Sequence, residues 1–141
     1  MNLIQEIMKG VFTHYKTTTL WTTDAVPFYL NDVPQSVKYP IIVMNHIAGN
    51  FSMAMPTAVK TAGWDYCDAI FQFSIFGNDR QHPTTEEIAE RLSLAFHRIP
   101  IVLGGDCSHI ATILVNNRTA FYDSGQKIWH KTQDYRILAG A

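Results

Sequence analysis

The residues in this sequence that are best suited to catalytic chemistry are a cysteine and a histidine separated by one residue. Cys107 and His109 follow Asp106 and stand at the start of a predicted strand, where their side chains would share one face. A thiol beside an imidazole is the arrangement of a nucleophilic dyad. A working dyad also needs an orienting group and an oxyanion site, and the sequence marks neither. The simpler interpretation is a small buried cysteine and a histidine beside a turn.

Metal and phosphate chemistry find no support in the spacing of the other polar residues. The six histidines fall in different predicted elements and lack the H-x-x-x-H or Cys/His spacing that places two ligands together. Gly104 and Gly105 form a pair and do not belong to a phosphate-binding loop. We therefore expect no catalytic residue, no metal site and no cofactor.

Three acidic residues cluster where a helix is predicted to begin. Glu86, Glu87 and Glu90 would be close enough to suggest a carboxylate pair for acid and base chemistry. Carboxylates at a helix start also complement the positive end of the helix dipole, which contributes about 0.3–1 kcal/mol each. The dipole accounts for these residues without any catalytic role.

The composition limits the class of protein. The chain has 141 residues, of which 47% are hydrophobic, and its net charge is −1. This length suits one domain spanning residues 1–141, and the charge gives no long-range attraction to nucleic acid. Two isolated cysteines, without a basic and apolar leader, favour synthesis in a reduced cytosol. No apolar stretch approaches the roughly 20 residues that span a bilayer.

A strand followed by a capped helix forms the centre of the predicted fold. Residues 65–79 alternate as a strand, with Phe71, Phe73 and Ile75 on an apolar face and a mixed face opposite. Thr84 and Glu87 make the S/T-x-x-E pattern of a helix start near residue 85. Apolar residues then recur at three- and four-residue spacing up to Pro100, which ends the helix.

The rest of the chain predicts an α+β fold. We expect a helix over residues 3–16 and strands over 28–30, 39–47, 108–123 and 127–138, with a hairpin turn at 123–125. Residues 48–64 fit neither period and suit an apolar contact loop or a short hairpin. The order predicts a mostly antiparallel sheet with two amphipathic helices packed on one face.

Four basic residues fall on the last two predicted strands. Arg118, Lys127, Lys131 and Arg136 suit ordinary solvated strand positions. A strip facing DNA in the lumen of a ring is the alternative interpretation.

The order of five segments resembles a known family. FYLNDVP, YPIIVMN, DAIFQFSIFG, TTEEIAERL and a terminal DYRI follow one another at spacings similar to those of the tail terminator or tail completion proteins of long-tailed bacteriophages and prophages. The resemblance covers nearly the whole chain, and it resides in the order of the segments.

The resemblance implies a non-enzymatic virion protein. It implies a ring, commonly a hexamer, on the head-proximal end of the tail, which ends tube polymerisation and provides the surface that joins the head. The implied partners are further copies of the chain, the tail tube protein, head-completion or connector proteins, and DNA that passes through the lumen without sequence recognition. Synthesis would take place in the cytoplasm of the bacterial host, with no membrane involved.

A closing ring needs head-to-tail contacts between subunits, which we assign to the segment 48–64 and to the hairpin between residues 110 and 138. That hairpin could also pair with the sheet edge of a neighbour. The candidate contact residues are Phe51, Met53, Met55, Arg118, Phe121, Tyr122 and Trp129.

Three alternatives stay open at this point. The first is a head-completion or connector protein that binds the portal. The second is a small cytosolic enzyme that uses Cys107 and His109. The third is a ligand-binding module whose pocket wall is the aromatic face of the strand over residues 65–79.

Overall fold

The structure, a computed structural model, describes residues 3–52, 66–80, 83–104 and 107–140. These residues form three helices and six strands. The helices are α1 (Leu3–Tyr15), α2 (Thr19–Thr22) and α3 (Thr85–Phe96). The strands are β1 (Phe28–Leu30), β2 (Ile41–Ser52), β3 (Tyr66–Gly77), β4 (Ser108–Asn117), β5 (Phe121–Asp123) and β6 (Ile128–Gly140).

All six strands belong to one sheet. Its order is β1-β2-β3-β6-β4, and β5 pairs with β6 beyond the end of β4. Every pairing is antiparallel except that of β1 with β2. The prediction of an α+β fold with a mostly antiparallel sheet is therefore confirmed.

The helices α1 and α3 pack on the same face of this sheet. Both contact β3 and β6, and α3 also contacts β4. Alternation along a strand places one set of side chains under the helices, and in β3 that set contains Phe71, Phe73 and Ile75, all with no exposed surface. Within the described residues, no helix combines the length and apolar character needed to cross a bilayer.

Phe73 lies at the centre of the core. Its ring meets Phe28 and Phe96 edge to face, with centroids 5.6 and 5.4 Å away, and lies 4.8 Å from the ring of Tyr135. These contacts join β1, β3, α3 and β6 in one aromatic cluster. The apolar face of β3 is thus filled by the protein's own helices, and the hypothesis that it forms the wall of a ligand pocket does not hold.

A buried glutamine anchors α3 to the sheet. Gln133 of β6 has no exposed surface, and its amide donates to the carbonyl oxygen of Ala89 in α3 over 3.0 Å. The hydroxyl of Tyr135 donates to the side-chain oxygen of Gln133 over 3.0 Å. Burial raises the pKa of Tyr135, so this hydroxyl keeps its proton. The polar groups buried here are paired, as a dry core requires.

The predicted start of α3 is confirmed. Thr84 has an extended backbone, and its side-chain oxygen accepts the backbone N–H of Glu87 over 3.4 Å. The helix ends at Phe96, a few residues before Pro100. Arg98 then takes a left-handed φ of 60°, which turns the chain back toward the sheet.

Bulges explain where the predicted alternation is wrong. We predicted Ile110 on the same face as Thr112 and Leu114. The register between β4 and β6 instead skips Ile110 and Val115. The register between β2 and β3 skips Ile47 in the same way. An extra residue in one strand reverses the alternation beyond it. All three bulge residues are exposed aliphatic side chains, with 40–60% of their surface accessible to solvent, namely Ile47 49%, Ile110 56% and Val115 43%.

The structure differs from the sequence prediction at several places. The strand predicted over 39–47 continues to Ser52, so residues 48–52 extend β2, while 53–65 lie outside the described residues. The single strand predicted over 108–123 is interrupted at 118–120, where only Arg118 keeps a ladder hydrogen bond, to Thr132. The short helix α2 was not predicted, because its threonines suit a strand as well as a turn.

The predicted hairpin lies within the sheet. β6 pairs with β3 from Trp129 to Gly140, so it is an interior strand, and β4 forms the edge. Residues 97–101 run along the outer side of this edge, where the backbone N–H of Arg98 donates to the carbonyl of Thr112 over 2.7 Å. The β4 edge is therefore covered by the chain itself over part of its length.

Replacing Phe73 by alanine should lower the free energy of unfolding by about 3–5 kcal/mol, because it empties the centre of the aromatic cluster. Leu94→Ala is the control, since 72% of Leu94 is exposed on α3. The control should change stability by about 0.5 kcal/mol or less. Urea denaturation of both variants measures the difference, and similar losses would contradict this description of the core.

Candidate functional site

Cys107 and His109 do not form a catalytic dyad in this structure. Cys107 is buried, and both ring nitrogens of His109 have structural partners. Its Nδ1 accepts the backbone N–H of Ile101 over 3.3 Å, so the proton lies on Nε2, which donates to Thr112 Oγ1 over 2.6 Å. Burial and the nearby His14 lower the pKa of His109. The ring is held as a neutral structural group, and Asp106 lies outside the described residues.

Three other described histidines, His14, His97 and His130, are engaged in contacts within the fold. His14 donates from Nε2 to the carbonyl of Ala95 over 2.9 Å, and His97 Nδ1 accepts the backbone N–H of Leu114 over 3.0 Å. Burial lowers the pKa of His130, whose ring is stacked on Phe76. The described part of the chain contains no group of three or more His, Cys, Asp or Glu side chains that could hold a metal ion.

The acidic residues at the start of α3 are used for structure. The backbone N–H of Glu87 is capped by Thr84, and Glu86 lies 3.5 Å from the ammonium group of Lys131 on β6. Carboxylates in the first turn complement the helix dipole, as the sequence suggested.

The predicted basic strip is largely neutralised by acidic partners. Arg118 pairs with Asp134 over 2.7 Å, and the guanidinium group of Arg136 forms a two-point contact with the carboxylate of Asp68. Lys131 is buried under the helices and donates to the carbonyl of Arg118 over 2.7 Å, so the expectation that it is solvated is wrong. Lys127 is exposed in the β5–β6 turn.

A row of polar residues crosses the sheet on the face opposite the helices. The register aligns Asn45, Gln72, Asp134 and Asn116 on four neighbouring strands. Gln72 and Asn116 donate to the carboxylate of Asp134 over 3.2 and 3.1 Å, and Arg118 donates to it over 2.7 Å. Only 3% of the Asp134 side chain is exposed. The buried carboxylate on β6 thus accepts hydrogen bonds from β3, from β4 and from Arg118, which follows β4.

The titration of Asp134 follows from these contacts. Burial acts to raise its pKa, but the hydrogen bonds from Arg118, Asn116 and Gln72 outweigh burial and hold the pKa below its usual range. A carboxyl group with a lowered pKa in the folded state stabilises that state at neutral pH. This stabilisation is lost as the pH falls through the lowered pKa.

Exposed aromatic side chains gather where β5 meets β6. Phe121 and Tyr122 have 55% and 46% of their surface exposed. The ring of Phe121 lies 5.0 Å from His130, which is stacked on Phe76 at 4.3 Å with an interplanar angle of 14°. On the other face, Tyr122 lies 5.3 Å from Trp129. We call Phe76, Phe121, Tyr122, Trp129 and His130 the hairpin-end cluster.

A crevice of about 260 Å³ lies on the sheet face opposite the helices, near this cluster. The connection between β1 and β2 folds over that face and contributes Val33, Val37 and Tyr39 to the lining. Ile41 and Ile128 are buried beneath it. The connection thus protects apolar strand residues that the helices do not reach.

The structure brings together only part of the predicted contact set. Phe121, Tyr122 and Trp129 are neighbours, and Arg118 precedes β5 with its guanidinium group on Asp134. Phe51 belongs to β2 at the opposite end of the sheet, where it pairs with Cys67. Met53 and Met55 lie outside the described residues. Four exposed apolar residues were not among the predicted contact residues, namely Ile47, Leu94, Val102 and Ile110.

Comparison with known proteins gives a relationship at the level of fold. A chain in the virion of a native gene transfer agent particle matches with a TM-score of 0.70, covering 99% of this chain and 98% of that one. The two chains share one fold. Their sequence identity is 12%. A second solved structure matches with a TM-score of 0.53 and 10% identity over 94% of both chains.

Sequence-based comparisons give no assignment. No family model matches the chain. No curated protein matches it either.

Asp134→Asn should destabilise the protein at pH 7 by about 1.5–3 kcal/mol, because an amide cannot replace a carboxylate that accepts three donors. The matched control is Asp32→Asn, which removes an exposed carboxylate of the same charge. Urea denaturation at several pH values should show the Asp134→Asn deficit starting to shrink below about pH 4, where the carboxyl group of the unfolded wild-type chain becomes protonated, and disappearing as the pH falls through the lowered pKa of the folded state. A deficit independent of pH, or one equal in the control, would contradict the role of the charge.

Proposed function

We propose that this protein is a non-enzymatic virion structural protein that forms a ring, a hexamer as the family resemblance implies, at the head-proximal end of a phage tail. The ring ends polymerisation of the tail tube and provides the surface that joins the head. The observation that carries this proposal is the match, over 99% of this chain, to a chain in the virion of a gene transfer agent particle. The tail terminator resemblance of the sequence supports the position within the particle.

The chemistry of the described residues agrees with a role in assembly. Cys107 is buried and His109 is bound on both ring nitrogens, so this pair gives the enzyme hypothesis no reactive group. Surface contacts between proteins need exposed aromatic side chains that are held in place. Phe121 and Tyr122 meet this requirement, because each is about half exposed and contacts a ring on β6.

We therefore place one side of the subunit contact at the hairpin-end cluster. Within a ring, this surface meets a different surface of the next copy, since a closed ring is built from head-to-tail interfaces. The other side of the contact includes the far end of β2, where the candidate residue Phe51 lies at the opposite end of the sheet. Opposite ends of one subunit suit the two sides of such an interface.

DNA would pass through the lumen without being held. Binding to DNA backbone requires basic side chains that are available to phosphates. On the last two strands, Arg118 and Arg136 are paired with Asp134 and Asp68, and Lys131 is buried. Basic side chains that are paired or buried in this way suit a lumen through which DNA passes better than a surface that binds DNA. The remaining partners in this proposal are the tail tube protein and the head-completion or connector proteins.

Native mass spectrometry and electron microscopy test the ring directly. The purified protein, alone or mixed with tail tube protein, should give a closed oligomer and ring-shaped particles. Monomer under both conditions would contradict the proposal. Assembly with portal protein instead of tube protein would favour the connector alternative.

Phe121→Glu should weaken subunit association by about 30-fold or more, because burying an unpaired charge at a contact costs on the order of 2 kcal/mol. Leu94→Glu is the matched control, since Leu94 is an exposed apolar residue on α3 outside the hairpin-end cluster. Sedimentation over a range of concentrations measures both, and circular dichroism checks that each variant folds. If Leu94→Glu dissociates the oligomer and Phe121→Glu does not, the contact has been placed on the wrong surface.

A further inference from the structure

The segment that covers the β4 edge is held by two imidazole rings that must be neutral. Residues 97–101, named here the latch segment, leave α3 and run beside β4. Leu114 of β4 donates its backbone N–H to Nδ1 of His97 over 3.0 Å, and Ile101 donates its backbone N–H to Nδ1 of His109 over 3.3 Å. The His97 ring on the segment accepts from the strand, and the His109 ring on the strand accepts from the segment. The two bonds therefore join the segment and the strand in both directions.

Both bonds depend on the lone pair of Nδ1. An imidazole accepts a hydrogen bond only while that nitrogen is unprotonated, and in the imidazolium form both ring nitrogens are donors. Protonation of either ring would therefore direct an N–H group at another N–H group. The bond would be replaced by repulsion, and the segment would lose a connection to the strand.

The neighbouring groups reinforce this dependence. Among the described residues, the titratable and charged side chains that the contacts place near the rings are His14 from α1, which acts on His109, and Arg98 in the latch segment. Glu6 of α1 lies near Gly104, beyond the segment. His14 donates to the carbonyl of Ala95. No described carboxylate is bonded to His97 or His109 to compensate a positive charge.

We propose that the latch segment is an acid-sensitive cover of the β4 edge, held closed by neutral His97 and His109 and released when they are protonated. This inference goes beyond the proposed ring and does not depend on it. Release would break the two imidazole bonds and free the third contact, in which Arg98 donates to the carbonyl of Thr112. The edge would then present unpaired backbone groups, the chemistry by which an extended strand binds to a sheet.

The direction of the pH effect follows from linkage. Burial lowers the pKa of His109 in the closed state, whereas a released imidazole returns to its ordinary pKa of about 6.5. The open state therefore binds protons more readily, and closure weakens as the pH falls below about 6.5. Between pH 7.5 and pH 5.5, a His109 ring that stays neutral in the closed state increases the opening equilibrium by up to about ten-fold.

Hydrogen exchange followed by mass spectrometry tests this proposal on the full-length protein. Exchange is measured at pH 7.5 and pH 5.5 and corrected for the intrinsic pH dependence of amide exchange. In the wild type, peptides that cover residues 97–103 and 108–117 should lose protection at the lower pH, by up to about ten-fold. Peptides from the first turns of α3 should keep theirs.

Asparagine variants separate the protonation of the rings from general acid sensitivity. Asn places an acceptor oxygen near the position of Nδ1 and does not titrate in this range. His97→Asn with His109→Asn should retain protection of both peptides at pH 5.5. The exposed His46→Asn is the matched control and should behave as the wild type. If the double variant does not fold, each single variant tests its own bond, through Leu114 or through Ile101.

Three results would overturn the proposal. The first is unchanged protection of the latch peptides in the wild type at pH 5.5. The second is an equal loss in the asparagine variants. The third is an equal loss in α3 peptides, because that would show global unfolding and not release of one segment.

Discussion

The structure depends on one constraint, which is that a single face of the central strands β3 and β6 carries the aromatic core. Because side chains alternate along a strand, placing Phe71, Phe73 and Tyr135 under the helices leaves the opposite face to the intervening residues. Those residues are mixed and polar, and the helices that the structure describes pack on the other face. Asp134 lies on this second face, where its charge is stabilised by donors from neighbouring strands. One face supplies apolar burial, and the other supplies cross-strand hydrogen bonds.

Local signals were sufficient to predict several elements. The apolar stripe of α1, the cap at Thr84 and the alternation of β3 each lie within a dozen residues, so the sequence shows them directly. Bulges are different, because one extra residue in a strand depends on the register of the partner strand. Ile47, Ile110 and Val115 therefore look like buried strand residues in the sequence, although the fold exposes them.

The same distinction applies to the candidate surface. Phe121, Tyr122 and Trp129 were expected together because a short turn fixes which residues of a hairpin are neighbours. The pairing of Arg118 with Asp134 could not be foreseen, since it joins residues 16 positions apart across a break between strands. Likewise, nothing local shows that His97 and His109 accept backbone hydrogen bonds. Their roles arise where the end of α3 meets the edge of the sheet.

The position of the latch segment also depends on a residue that has no side chain. Gly10 of α1 faces the chain just beyond the segment, and a Cβ atom at this position would lie 2.5 Å from Leu103 Cδ2 and 3.0 Å from the carbonyl oxygen of Val102. The helix surface and the following chain are thus in direct contact. The contact leaves no room for a side chain between α1 and residues 102–103. The proposed opening of the latch segment would therefore be limited to the residues between α3 and this contact.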